Sequence, residues 1–272
     1  MQPGHERVKN MMNWLGKAVG AVLGYVAFGP VGSLLGFIVG HQFDRDGAGG
    51  GTSRARLYEI SAVFFRTTFY VMGHLAKSDG RVTETEIQAA RLVMQQLRLS
   101  PSEVQFAIEC FSRGKEPDFP IERSLQELRS ACAGRPDLVR FFIEIEMRAA
   151  LFGNGMQGPV RQRLTQMAQN LGISGLEVAH MEAIIRAYGR GQQGSAAPPP
   201  AERLADAYEV LEVPKDASDA EVTKAYRRQM SRNHPDKLKA NGLPESMLEM
   251  AKEKTQQIQR AYEAIKEVRG MR

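Results

Sequence analysis

The sequence predicts an all-α protein with one membrane-crossing helix, on three observations. Apolar residues recur every three or four positions along most of the chain. Ser/Thr-x-x-Glu capping boxes open several of these periodic stretches. One stretch near the N-terminus carries no charge over a length that spans a bilayer. No alternating strand pattern competes with the helical one.

The uncharged stretch runs from Ala18 to Gly40, 23 residues, where a helix needs about 20 to cross the hydrocarbon core. Trp14 and Lys17 flank one end, His41 and Asp44 the other, where interfacial and polar groups belong. A buried core helix of this length would show a polar stripe. A signal peptide would need a shorter apolar run and a better cleavage site than Val39-Gly40-His41. Residues 1–17 are thus a short leading segment and 18–40 a retained transmembrane helix, which Gly29-Pro30 can kink, the alternative being a re-entrant hairpin that turns there. Gly16, Gly20 and Gly24 share one helix face, and so do Gly32, Gly36 and Gly40. Such faces let a second helix approach closely, so homodimerisation through the span is expected.

Residues 41–53 form a tether whose end, Gly47 to Ser53, is glycine-rich and flexible. Residues 54–189 read as about seven helices. Ile87, Ala90, Val93, Met94 and Leu97 keep helical spacing, as do Val104, Ala107, Ile108 and Phe111, then Val160, Leu164, Met167 and Leu171. Thr83 with Glu86, Ser100 with Glu103 and Ser174 with Glu177 fit capping boxes. Two helix–turn–helix copies are visible. One turns at Asp79-Gly80 and the other at Asn154-Gly155. Residues 190–202 are a Pro/Gly/Gln linker that cannot build a core.

Residues 203–272 carry three more helices. Leu204, Tyr208 and Leu211 mark the first; Ser218 with Glu221 caps the second, whose inner face is Val222, Ala225, Tyr226 and Met230. The third begins near Pro244 and turns Leu248, Ala251, Ile258, Tyr262 and Ile265 inward. The second and third should pack antiparallel. Lys224, Arg227, Arg228 and Arg232 form a basic stripe on the second helix. Pro235 then ends it by forcing His234 out of the helical region. His234-Pro235-Asp236 is left at the tip of the hairpin, with Lys237 and Lys239 extending the charge.

Overall composition narrows the function. Hydrophobic residues make up 43% and charged residues 25%, values of a soluble globular protein and not of a polytopic membrane protein. A net charge of +5 favours acidic partners without choosing among them. Cys110 and Cys132 are the only cysteines, too few for a disulfide framework or a thiolate zinc site. Both read as small core residues, and His74 and His180 as packed or surface histidines. No nucleophile motif or phosphate-binding glycine loop accompanies His234 and Asp236, so an enzyme is not expected and no cofactor is implied. The basic helix lacks the aromatic platform or groove-reading motif of a nucleic-acid binder.

The C-terminal residues resemble a J domain. Asp206-Ala207-Tyr208-Glu209-Val210-Leu211, Ala225-Tyr226-Arg227-Arg228, His234-Pro235-Asp236-Lys237 and Gln259-Arg260-Ala261-Tyr262 carry the resemblance. It implies docking on a DnaK-type chaperone and triggering of its ATP hydrolysis. Lys224, Tyr226, Arg227, Arg228, His234, Pro235, Asp236 and Lys237 take the partner-binding roles. Thr223, where many J domains are basic, and Glu212, where many have glycine, depart from the pattern. The central region resembles the TerB-like helical domain, in which acidic residues after the turn are linked to metal. Asp79, Glu84 and Glu86 match that only in the first copy; the second offers Asn154, Gln157 and Gln162. Glu86 reads better as the capping partner of Thr83, and no metal site is expected.

Nearly the whole chain resembles the DjlA family of bacterial DnaJ-like proteins, with Phe64 to Leu75 typical of it. The glycine/phenylalanine segment and cysteine repeats of full-length DnaJ are missing. The resemblance implies a regulatory co-chaperone acting on membrane-proximal or envelope-signalling clients, with a role in stress response. The alternative is a stress- or metal-sensing central domain that uses the J domain only as output. Charges flanking the span tie: Arg7, Lys9 and Lys17 before it, Arg45, Arg54 and Arg56 after it. A cytoplasmic partner then sets the expected topology: single-pass in the inner membrane, N-terminus periplasmic, bulk of the chain cytoplasmic.

Overall fold

A computed structural model describes residues 51–78, 84–153, 155–192 and 200–271. The expected membrane helix, its glycine faces, and Asp79, Gly80, Thr83, Asn154 and residues 193–199 lie outside the described residues. Residues 56–272 form one compact unit. The described residues contain helices and no strand. None of these helices is long and apolar enough to cross a membrane.

The central region is α1 (Gly51–Ala76), α2 (Glu84–Gln96), α3 (Pro101–Gly114), α4 (Ile121–Ala131), α5 (Pro136–Phe152), α6 (Gly158–Asn170) and α7 (Gly175–Gln192). α1 starts inside the stretch read as tether, and α7 ends inside the stretch read as linker. Extending a formed helix gains a bond for each residue fixed, so helices overrun a boundary drawn from composition. The capping reading holds where both partners are described. Ser100 donates its N–H to Glu103 Oε2 at 2.9 Å and Ser174 donates to Glu177 Oε2 at 2.9 Å, while each serine hydroxyl accepts the glutamate's N–H.

α1 is the axis of the core. Phe64, Phe69 and Val71 are wholly buried on it. Phe64 meets Phe142 of α5 edge-on at 5.7 Å, and Phe65 stacks on Phe106 of α3 at 5.8 Å. α1 and α3 touch through backbone. A Cβ on Gly73 would lie 2.1 Å from the carbonyl oxygen of Phe111, and one on Gly114 would lie 2.1 Å from that of Tyr70. Only glycine permits this approach.

The J region is α8 (Pro200–Leu211), α9 (Asp219–Asn233), the short α10 (Pro235–Ala240), a 3-10 turn at Glu245–Met247, and α11 (Leu248–Arg269). α9 and α11 form the hairpin, with Tyr208, Leu211, Val222, Ala225, Ile258 and Ile265 in its core. Arg269 fastens the end of α11 to α8 and the α8–α9 loop: it donates to Tyr208 Oη at 2.6 Å and to the loop carbonyls of Ala217 and Lys215 at 2.6 and 2.8 Å. Gly270 then ends the helix at φ 63°.

The two regions are packed together. Ile184 of α7 joins the apolar cluster of the J region. Gly242, at φ +105°, sits so close to α1 that a Cβ there would lie 2.8 Å from Ile60 Cγ2. Lys254 of α11 donates to Glu144 Oε1 of α5 at 2.9 Å in a buried contact. Arg148 holds the same Glu144 oxygen at 2.9 Å.

Candidate functional site

The site begins where α9 stops. Pro235 has no N–H to give and disfavours helical backbone at the residue before it, so His234 is extended, at φ −62° and ψ 125°. Proline is also suited to the first position of a helix. The tip is therefore not the loop expected from sequence but the start of α10, with His234 as its N-cap. His234 Nδ1 accepts the Asp236 N–H at 3.2 Å. A neutral imidazole in this role carries its proton on Nε2, which stays free to donate outward. The Asp236 side chain is 91% exposed and that of His234 52%. The tripeptide thus pairs a fixed backbone with open polar groups.

The basic stripe is divided. Lys224 and Arg227 are exposed and line an open groove of about 480 Å³ with Asp219, Ala220, Thr223 and Met271. Arg228 and Arg232 lie on another flank, 3.7 and 3.6 Å from Glu212 Oε2. Glu212 holds φ 57°, a left-handed conformation that costs a non-glycine residue about 1 kcal/mol. Its carboxylate partly neutralises two of the four cations. Tyr226 is half-buried and stacks on Tyr262 at 4.2 Å, which anchors the hydroxyl edge of α9 to α11. Thr223 turns back, donating to the Asp219 carbonyl at 2.9 Å. Lys237 does not project freely: its ammonium donates to Asp137 Oδ2 of α5 at 2.7 Å.

Sequence reasoning missed the acidic face of α5. Asp137 and Glu144 hold J-region lysines. Burial alone would push the Glu144 carboxyl up, yet Lys254 and Arg148 beside it draw it below its ordinary value. Glu146 is wholly buried, and neither carboxyl oxygen has a hydrogen-bond partner among the described residues. Burial pushes its carboxyl well above the ordinary range. With Glu86 it lines a cavity of about 30 Å³, room for one water. The available signal was two carboxylates two positions apart inside an otherwise apolar run, Phe141-Phe142-Ile143-Glu144-Ile145-Glu146-Met147.

The other candidates are structural. Burial pushes the Cys110 thiol up to about 12 and the Cys132 thiol up to about 11, which removes nucleophilic character at neutral pH. His74 accepts from Arg163 Nε at 3.2 Å. Its pKa is lowered, first by burial and then by Arg163. Among the described residues no three His, Cys, Asp or Glu side chains cluster as a metal site would require.

Two family matches bracket the chain. Residues 12–56 match the family described as the co-chaperone DjlA transmembrane domain, and residues 206–269 match the DnaJ domain. The co-chaperone protein DjlA of Coxiella burnetii is 44% identical over 270 residues, covering 96% of this chain and 100% of the relative. That of Photobacterium profundum is 41% identical, covering 94% and 99%. That of Yersinia pestis is 41% identical, covering 96% and 100%. No solved structure matches the chain. Given 41–44% identity across nearly the full length of both partners in each pairing, and matches to the DjlA transmembrane domain and the DnaJ domain within this chain, this chain belongs to the DjlA family of co-chaperones.

Proposed function

We propose that this chain is a membrane-anchored regulatory co-chaperone that binds a DnaK-type chaperone through α9 and His234-Pro235-Asp236 and stimulates its ATP hydrolysis. The observation that carries the reading is the tripeptide itself: a backbone fixed by Pro235 and by the Asp236-to-His234 bond, with its polar groups exposed. Lys224 and Arg227 beside the groove give an acidic chaperone surface its first encounter. Tyr226, Arg228 and Lys237 widen the contact. Asp236, open to solvent in the free chain, gains a charged partner in the complex and there acts on the chaperone's ATPase cycle. The chain itself performs no hydrolysis. The membrane segment keeps this activity near membrane-proximal or envelope-signalling clients, and its glycine faces pair two copies. The J region lies on the cytoplasmic side, where the chaperone and ATP are.

Single-turnover ATP hydrolysis by DnaK, with the full chain in detergent micelles, tests the reading. Stimulation by the native chain and its loss with Asp236→Asn are expected. A folded native chain that leaves the rate unchanged would remove the chaperone-binding role. A reporter fused after Gly270 should read as cytoplasmic; a periplasmic reading overturns the orientation.

A further inference from the structure

We infer that the central region regulates its own J region as a latch, with α5 holding the flank of α9 and the cation at the tripeptide until an acidic chaperone surface displaces it. The inference rests on the chaperone-binding reading above and concerns how that site is made available.

Three observations carry it. First, α5 packs against α9, on the flank of Arg228 and Arg232, because Arg140 of α5 lies within electrostatic range of both. A partner that needs this flank meets α5 there. Second, Lys237, directly after the tripeptide, is bound to Asp137 at 2.7 Å, and the Asp137 side chain is only 15% exposed. The neutralising carboxylate therefore sits largely inside the junction and not in solvent. Third, the contact has an anchor away from the tip. Lys254, Glu144 and Arg148 form a buried charged cluster.

The two ends of the latch differ in strength. The anchor cannot open without exposing or stranding a charge, which is costly. The Lys237–Asp137 end is part-exposed, and such bridges contribute little. Arg140, Arg228 and Arg232 also place like charges together, offset by Glu212, Asp137 and the Arg140–Glu177 pair. An acidic partner surface exchanges one carboxylate for another at Lys237, so the tip releases first while the anchor holds. A site available only in the released population binds with an apparent affinity reduced by that fraction.

The test uses the full chain in micelles and variants of α5 alone. Asp137→Asn removes the bridge, and Asp137→Lys adds repulsion toward Lys237. The DnaK concentration for half-maximal stimulation should fall about two- to fivefold with Asp137→Asn and further with Asp137→Lys, at unchanged maximal stimulation. Carbodiimide, which joins only amines and carboxylates in contact, should cross-link Lys237 to Asp137 in the free chain, and added DnaK should suppress that product. A missing cross-link, or unchanged half-saturation in both variants while Asp236→Asn still abolishes stimulation, overturns the latch alone. Absence of stimulation by the native chain, with the cross-link still formed, overturns the chaperone-binding reading and the regulation with it.

Discussion

The central helical region and the J region handle charge in opposite ways. The central region puts carboxylates inside: Glu144 and Glu146 are 6% and 0% exposed within a run otherwise made of Phe, Ile and Met. The J region, Lys254 apart, keeps the charges around its tripeptide outside: Lys224, Arg227, His234 and Asp236 are all exposed. A buried carboxylate is governed by whether a partner reaches it, and an exposed one by who arrives from solution. The central region's buried carboxylates accordingly bear on stability and on the junction between regions, whereas the exposed charges of the J region are the ones proposed to meet a partner. Glu144 and Glu146 sharpen the contrast within one helix, because the first has Lys254 and Arg148 and the second has neither.

The largest effect follows at Glu144. Glu144→Met leaves Lys254 buried without its carboxylate, which should cost about 3–5 kcal/mol. Lys254→Met leaves Glu144 still held by Arg148 and should cost less, about 1.5–3 kcal/mol. The double variant should recover part of the loss of Glu144→Met, since only Arg148 is then left buried without its carboxylate. Urea denaturation of the four proteins gives the coupling. Additive losses would show that the pair is not a unit. The pH sign follows from the lowered carboxyl: its contribution is present above the ordinary value of 4.5 and is lost as pH falls through the folded value.

Glu146→Met should move the other way, stabilising by about 1–4 kcal/mol at pH 7. Here the folded carboxyl is raised above 4.5 by burial. Ionisation therefore favours unfolding as pH rises above 4.5, and the gain from methionine should be larger at pH 7 than at pH 5. Melting curves at the two values check it. A loss of stability at pH 7 would mean that the carboxyl has a partner in solution, and the contrast between the two glutamates would collapse.

How much was legible in the sequence divides along the same line. Helices were legible because periodicity and capping are local: Ser100 with Glu103, Ser174 with Glu177 and Ser218 with Glu221 form the boxes their spacing implies. The tripeptide was legible because proline acts on its immediate neighbour. The start of α10 at Pro235 was missed, although proline at a first helical position is equally local. Glu144, Asp137 and Lys254 were not legible, because their partners lie about a hundred positions away in sequence. Periodicity says which face of α5 is buried but not that a lysine of α11 will meet it. The division of the basic stripe was hidden for the same reason. Spacing places Lys224, Arg227, Arg228 and Arg232 together, but Glu212 and α5 approach only one flank.

That division gives the smallest and most discriminating effect. Lys224→Ala and Arg227→Ala remove exposed charge from the open groove and should leave stability within about 0.5 kcal/mol. Each should raise the half-saturating DnaK concentration about two- to fivefold, with a weaker dependence on salt. Arg228→Ala and Arg232→Ala should do less, since Glu212 already offsets both and α5 flanks them. Combining either with Asp137→Lys should restore a larger effect, because release of α5 brings that flank into the docking face. Titrations at two salt concentrations read all of this together. Equal effects of the four single variants would mean that the stripe docks as one surface, and the outer face would then extend beneath α5. Unequal effects that become equal on release would tie the recognition charges of the J region to the structural charges of the central one.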